Sequence, residues 1–162
     1  MVVKTTIQAI MKICFCGHRD FFDLSLKPRL KKIIENEIKN GNNKFILGSH
    51  GKFDGMVYGV LSELKELYGN IQIEVVLTSL NGLNTIKKDF GYNLYSKAKT
   101  VMYEIEDSYF KARIELSNKK MIDECEKMIC YIDDSRYRSG AKKALRYAQK
   151  QGLTIINLYN KR

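Results

Sequence analysis

No run in this sequence approaches the roughly 20 consecutive apolar residues of a membrane-crossing helix, which argues against a helical membrane protein. The N-terminus also lacks the charged, apolar and small-residue sections of a secretory signal, so the expected compartment is the cytoplasm. Histidine is scarce, with only His18 and His50, and the cysteines Cys14, Cys16, Cys125 and Cys130 match no common zinc spacing. No metal is therefore expected. The thiols read as small buried hydrophobes, with Cys14 and Cys16 on one face of a strand. Acidic residues are missing from Ser135 to Arg162, where Arg136, Arg138, Lys142, Lys143, Arg146, Lys150, Lys161 and Arg162 are all basic. With a formal net charge of +10, this asymmetry points to an anionic partner, and phosphate in some form fits best.

What is present reads as alternating strands and helices. At 162 residues the chain is long enough for one stable domain. Residues 1–10 carry no strong pattern and form an N-terminal arm of unassigned role, which leaves 11–162 as a single domain. Apolar runs at Lys12 to Cys16, Lys44 to Leu47, Ile71 to Thr78, Met128 to Ile132 and Thr154 to Leu158 read as strands. Between them lie helical patterns, the first from about Ser25 to Ile38. Its apolar face is Leu26, Leu30, Ile33, Ile34 and Ile38, its first turn tolerates Pro28, and Asn40 and Gly41 stop it. The others are Met56 to Tyr68, Ser108 to Glu126 with a stripe of Phe110, Ile114, Met121 and Cys125, and Gly140 to Gln151. Ser79 to Glu104 reads as a long connection. Its tyrosines, Tyr92, Tyr95 and Tyr103, are better suited to packing it down than to stacking on a base.

This alternation predicts an α/β fold with a mostly parallel sheet between two helical layers. Right-handed crossovers give the five strands the order 3-2-1-4-5, with a ligand crevice outside the carboxyl ends of the first and fourth, where the order reverses. Three loops converge there: Gly17-His18-Arg19, Gly48 to Asp54, and Asp133 to Gly140. In the second, glycines let the backbone approach a ligand and Asp54 caps the following helix; a plain strand-to-helix turn is the competing reading. On that capping role, replacing Asp54 by Asn costs on the order of 1 kcal/mol.

The stretches ICFCGHRD, FILGSHGKFD, NKKMIDECEKMICYID and RSGAKKALRYAQKQG, taken together and in this order, resemble the SLOG superfamily, specifically its YpsA-like branch. The resemblance covers Lys12 to Leu158. It implies a Rossmann-like three-layer sandwich, related to the DNA processing protein DprA and to the cytokinin-activating Lonely Guy enzymes, that binds nucleotides or nucleotide-derived ligands. The family's Gly-His-Arg falls on Gly17, His18 and Arg19. Arg19 can fork onto phosphate or carboxylate, while His18 either contacts ligand or orients the loop through backbone bonds. The second glycine motif falls on Gly48, Ser49, His50, Gly51, Phe53 and Asp54, with Phe53 packed inward and Ser49 and His50 as polar contacts. Where the family has an Arg-Asn pair this chain has Ser117 and Asn118, so only Asn118 is available. The phosphate loop becomes Ser139, Gly140 and Ala141, with Ser139 as helix cap or ligand hydroxyl.

The function implied is a nucleotide-type binding or sensing domain, with a nucleotide or ADP-ribose-like ligand and without catalysis. One alternative is cleavage of a nucleotide N-glycosidic bond, as in the Lonely Guy relatives. Those place a glutamate after their glycine-rich loop, whereas the helix AKKALRYAQ has no acid, leaving Asp54, Asp133 and Asp134 as candidate carboxylates. The other alternative is nucleic-acid binding by the basic C-terminal segment, with steep salt dependence. Homo-oligomerisation through helices or the tyrosine-rich connection is compatible with such a fold.

Overall fold

The first strand is apolar at four consecutive positions, Ile13 to Cys16, a run that only a sheet covered on both faces can bury. Ile13 and Phe15 point to one side and Cys14 and Cys16 to the other, and all four are buried. The computed structural model describes residues 9–21, 23–78, 95–105, 109–137 and 139–159. Among these, six strands form one all-parallel sheet: β1 (Lys12–Gly17), β2 (Lys44–Leu47), β3 (Gln72–Leu77), β4 (Lys99–Met102), β5 (Lys127–Tyr131) and β6 (Thr154–Asn157). The helices are α1 (Lys27–Lys39), α2 (Lys52–Leu67), α3 (Phe110–Asp123) and α4 (Gly140–Lys150). The arm at residues 1–8 lies outside the described residues, as does Tyr92.

The order across the sheet is β4-β3-β2-β1-β5-β6. The five strands read from sequence take the expected relative order, and a sixth is added at the far edge. Lys99–Met102 lies inside the stretch expected to be a connection. Its four residues KTVM are short and only partly buried, so an edge strand paired on one side leaves almost no hydrophobic signature. Helices α1 and α2 cover one face through Leu30, Ile34, Val57, Val60, Leu61 and Leu64. Helices α3 and α4 cover the other through Met121, Ile122, Ala144, Leu145 and Ala148, against Cys14, Cys16, Met128 and Cys130. The result is a Rossmann-like three-layer sandwich.

Two helix starts differ from expectation. A 3-10 turn at Leu24–Leu26 precedes α1, and Asp23 caps that turn by accepting from the Ser25 N–H. Helix α2 begins at Lys52 rather than Met56, which moves Asp54 into its first turn. The N-cap is Gly51 at φ +100°, a left-handed conformation that side chains rarely adopt. A Cβ on Gly51 would also meet Arg19 Cα at 2.5 Å, because the Arg19 carbonyl accepts from the Lys52 N–H across this gap.

Phe53, 1% exposed, anchors the start of α2 beneath the end of β1, a burial worth roughly 1.5–3 kcal/mol. It meets Phe21 edge-on at 5.6 Å and stacks with Tyr131 at 6.4 Å. Gly17 makes room for it, since a Cβ there would fall 2.3 Å from the Phe53 ring. Gly17→Ala is therefore expected to destabilise the protein by about 1–3 kcal/mol through overpacking, read as a lower urea midpoint at unchanged slope. A midpoint equal to wild type would mean that Phe53 does not occupy this space.

Candidate functional site

Parallel pairing puts the carboxyl ends of β1, β2, β3 and β5 along one edge, so the loops that follow them meet above the sheet. A cleft of about 360 Å³ opens there. The three loops identified from sequence do converge on it. They line it with Gly17, His18 and Arg19 after β1, Gly48, His50 and Asp54 after β2, and Ser139, Gly140 and Ala141 after β5. Asn118 joins them from α3. Ser49 does not; its hydroxyl donates to the Val76 carbonyl at 2.8 Å and ties β2 to β3.

His18 is the inner strut of the site. It is 3% exposed, and both ring nitrogens are engaged. Nε2 accepts from the Asp133 N–H at 2.7 Å, so the ring proton belongs on Nδ1, which faces the Ser139 hydroxyl at 3.3 Å. Burial first, and the nearby Arg136 second, push its pKa below the ordinary histidine value. A neutral imidazole thus joins the loop after β1 to the loop after β5 and to the cap of α4. Of the two readings of His18, the contacts fit the orienting one. Ser139 likewise acts as a cap, accepting from the Lys142 N–H at 3.3 Å.

Helix α4 opens toward the cleft. The Lys143 N–H makes the helix's first backbone bond, to the Ser139 carbonyl at 3.1 Å, so the Gly140 and Ala141 N–H groups precede it and form part of the positive end of the helix dipole. Arg19 lies on the exposed rim. Neither it nor Lys111, which lines the cleft from α3, takes part in an ion pair among the described residues. Arg136 crosses the mouth and donates to Asp20 Oδ1 at 2.8 Å, which holds the Asp20 carboxyl below the usual range. Tyr137 stands beside it, 85% exposed.

Asp54 is the carboxyl set into the cleft. Expected as a helix cap, it instead sits in the first turn of α2 and reaches back, accepting from the His50 N–H at 3.0 Å. It lies against Gly48, where a Cβ would come within 2.9 Å of Oδ2. Burial without a paired cation pushes its pKa up to about 7, and the His50 bond opposes this only in part. His50 is itself held low by burial and by Arg19, and its Nε2 meets the Thr78 hydroxyl at 2.7 Å. The other candidate carboxylates are elsewhere. Asp133 is used in a turn, accepting from the Ser135 N–H at 3.0 Å and from its hydroxyl at 2.6 Å, and neither it nor Asp134 lines the cleft.

Sequence reasoning passed over Asp20, Lys111, Ile114, Glu115, Arg136 and Tyr137 as site residues, although all line the cleft. The α3 set carried a signal: Lys111, Ile114 and Asn118 recur at helical spacing. The stripe expected to be continuous core is divided. Met121 and Cys125 are buried, Ile114 faces the cleft, and Phe110 is 49% exposed, edge-on to His50 at 5.6 Å. Tyr95 packs edge-on against Tyr58 at 5.0 Å, and neither Tyr95 nor Tyr103 lines the cleft. No group of His, Cys, Asp and Glu suited to a metal occurs among the described residues, and no described helix is long and apolar enough to cross a membrane. Neither protein-family models nor curated proteins gave a match to this chain.

The elevated pKa of Asp54 has a definite consequence for stability. Below pH 4 the group is protonated in folded and unfolded chains alike. Between the ordinary value of 3.8 and about 7 the folded chain holds the proton that the unfolded chain releases, so this contribution falls as pH rises and is flat above 7. Asp54→Asn keeps an acceptor for the His50 N–H and removes the charge. The expected capping loss therefore reverses: the variant should be more stable than wild type at pH 8, by up to about 4 kcal/mol, with the difference shrinking towards pH 4. Denaturant titrations at a series of pH values measure it, and a pH-independent difference would contradict a desolvated Asp54.

Proposed function

We propose that the chain is a SLOG-like domain that binds a nucleotide or nucleotide-derived ligand at the carboxyl edge of its sheet, without turning it over. The observation that carries this reading is the combination of donors around one cleft. The Arg19 guanidinium, which has no ion pair among the described residues, and the opening turn of α4 at Gly140 and Ala141 line the same space, which suits a phosphate. The cleft sits where the strand order reverses between β1 and β5, the usual crevice for ligands in open α/β sheets. Its volume suits a mononucleotide-sized molecule. Four motifs resembling the YpsA-like branch supply the same expectation from sequence, and the cytoplasm remains the compartment proposed.

A second reading, N-glycosidic cleavage, has Asp54 in its favour, because a carboxyl near pKa 7 is suited to proton transfer. Such cleavage also needs a carboxylate to stabilise the sugar centre. The remaining acids of the cleft are both engaged, Asp20 with Arg136 and Glu115 with Lys143. Binding without turnover is the better-supported function.

Incubation with AMP, NAD or ADP-ribose is expected to raise the melting temperature by a few degrees for at least one of them while leaving it chemically intact. Arg19→Ala should weaken that ligand by roughly 1.5–3 kcal/mol in calorimetry, the scale of a charge-assisted hydrogen bond. Unchanged affinity would remove Arg19 from the site. Release of free base in proportion to protein, lost in Asp54→Asn, would establish the enzyme instead.

A further inference from the structure

The switch-point cleft is not closed on the side of α3 and α4. A second groove of about 290 Å³ runs between these helices, and Glu115, Asn118 and Gly140 line both spaces, so the two are continuous. The groove is otherwise walled by Lys119, Lys143, Ala144, Arg146, Tyr147 and Lys150. Four cations thus border it against one acid, Glu115, which pairs with Lys143 at 2.9 Å. The Tyr147 hydroxyl donates to Asp123 at 2.6 Å. Lys119 lies over the Tyr147 ring, 5.6 Å from its centroid. Arg146 and Lys150 are exposed and have no ion pair among the described residues.

We infer that the groove binds the continuing phosphodiester chain of a single-stranded nucleic acid whose terminal nucleotide occupies the switch-point cleft. The inference rests on the nucleotide reading of that cleft. Three features favour this occupant over an acidic protein segment. The groove starts at the α4 N-terminus, where a terminal phosphate is proposed to sit. Lys143, Arg146 and Lys150 are spaced three and four residues apart, so they form one row leading away from it along about 10 Å of helix. Aromatic rings lie along the path, with exposed Tyr137 at the cleft rim and Tyr147, under Lys119, in the groove, a combination of rings and cations typical of single-strand binding surfaces. A duplex cannot present an unpaired terminal base to the cleft while its backbone follows the groove.

The test compares AMP with a fluorescein-labelled single-stranded oligothymidylate on the full chain, as wild type and as Arg146→Ala/Lys150→Ala. Both changed side chains are exposed and outside the nucleotide cleft, so folding is expected to survive, as checked by thermal melting. Wild type should bind the oligonucleotide at least tenfold more tightly than AMP, and excess AMP should weaken it. In the double variant the oligonucleotide affinity should fall by roughly tenfold or more, with AMP affinity unchanged. The slope of log affinity against log salt should flatten by about 1.4, the value for two lost phosphate contacts on a single strand. An oligonucleotide that binds no better than AMP, or a double variant with unaltered affinity and salt slope, overturns the groove while leaving the nucleotide cleft intact. Equal competition by polyglutamate of the same charge overturns the assignment to nucleic acid. Absence of AMP binding to wild type is the separate result that overturns the nucleotide cleft itself.

Discussion

The site depends on one buried imidazole. His18 accepts the Asp133 N–H and meets the Ser139 hydroxyl, so a single neutral ring couples the end of β1, the loop after β5 and the cap of α4. A helix cap fixes where free N–H groups point, and here the cap is in turn fixed by the strand at the centre of the sheet. Protonation would place a donor on Nε2 opposite the Asp133 N–H and break the strut. Burial keeps the ring neutral and so keeps the three segments in register.

Around that strut the charges are sorted by position. Cations occupy the rim and the groove, where water reaches them, while Asp54, beneath the glycine turn, lies where ionisation is disfavoured. A partly protonated carboxyl repels an incoming anion less than an ionised one, and it can donate as well as accept a hydrogen bond. The same residue links stability to the proposed site. Its environment favours the neutral form, and replacement by a neutral isostere trades a possible ligand contact for a more stable fold, as polar groups held in binding sites commonly do.

The fold was largely legible because its signals are local and redundant. Each core strand is a short apolar run closed by a turn, and each helix has an apolar face, so the relative order of five strands followed from right-handed crossovers together with a long connection that returns the chain to the other side of β1. What escaped notice had weak local signals. Strand β4 is short and at the edge. The start of α2 was misplaced because Gly51, Lys52 and Asp54 do not resemble a conventional cap. The stripe on α3 reads as continuous by spacing, yet its N-terminal half meets the cleft instead of the core.

The sequence by itself determined the layers, the relative order of five of the six strands and the three loops of the cleft, since hydrophobic period and glycine placement act over a few residues and survive without knowledge of the rest. Only the tertiary structure decided what the polar side chains do. Ser49 turned to β3, Ser139 became a cap, His18 became a strut, and Arg136 and Lys111 arrived at the cleft from loop and helix. Hydrogen bonds and desolvation are set by partners that lie up to a hundred or more residues away, such as Asp133 for His18 at a separation of 115. No local pattern encodes such a partner.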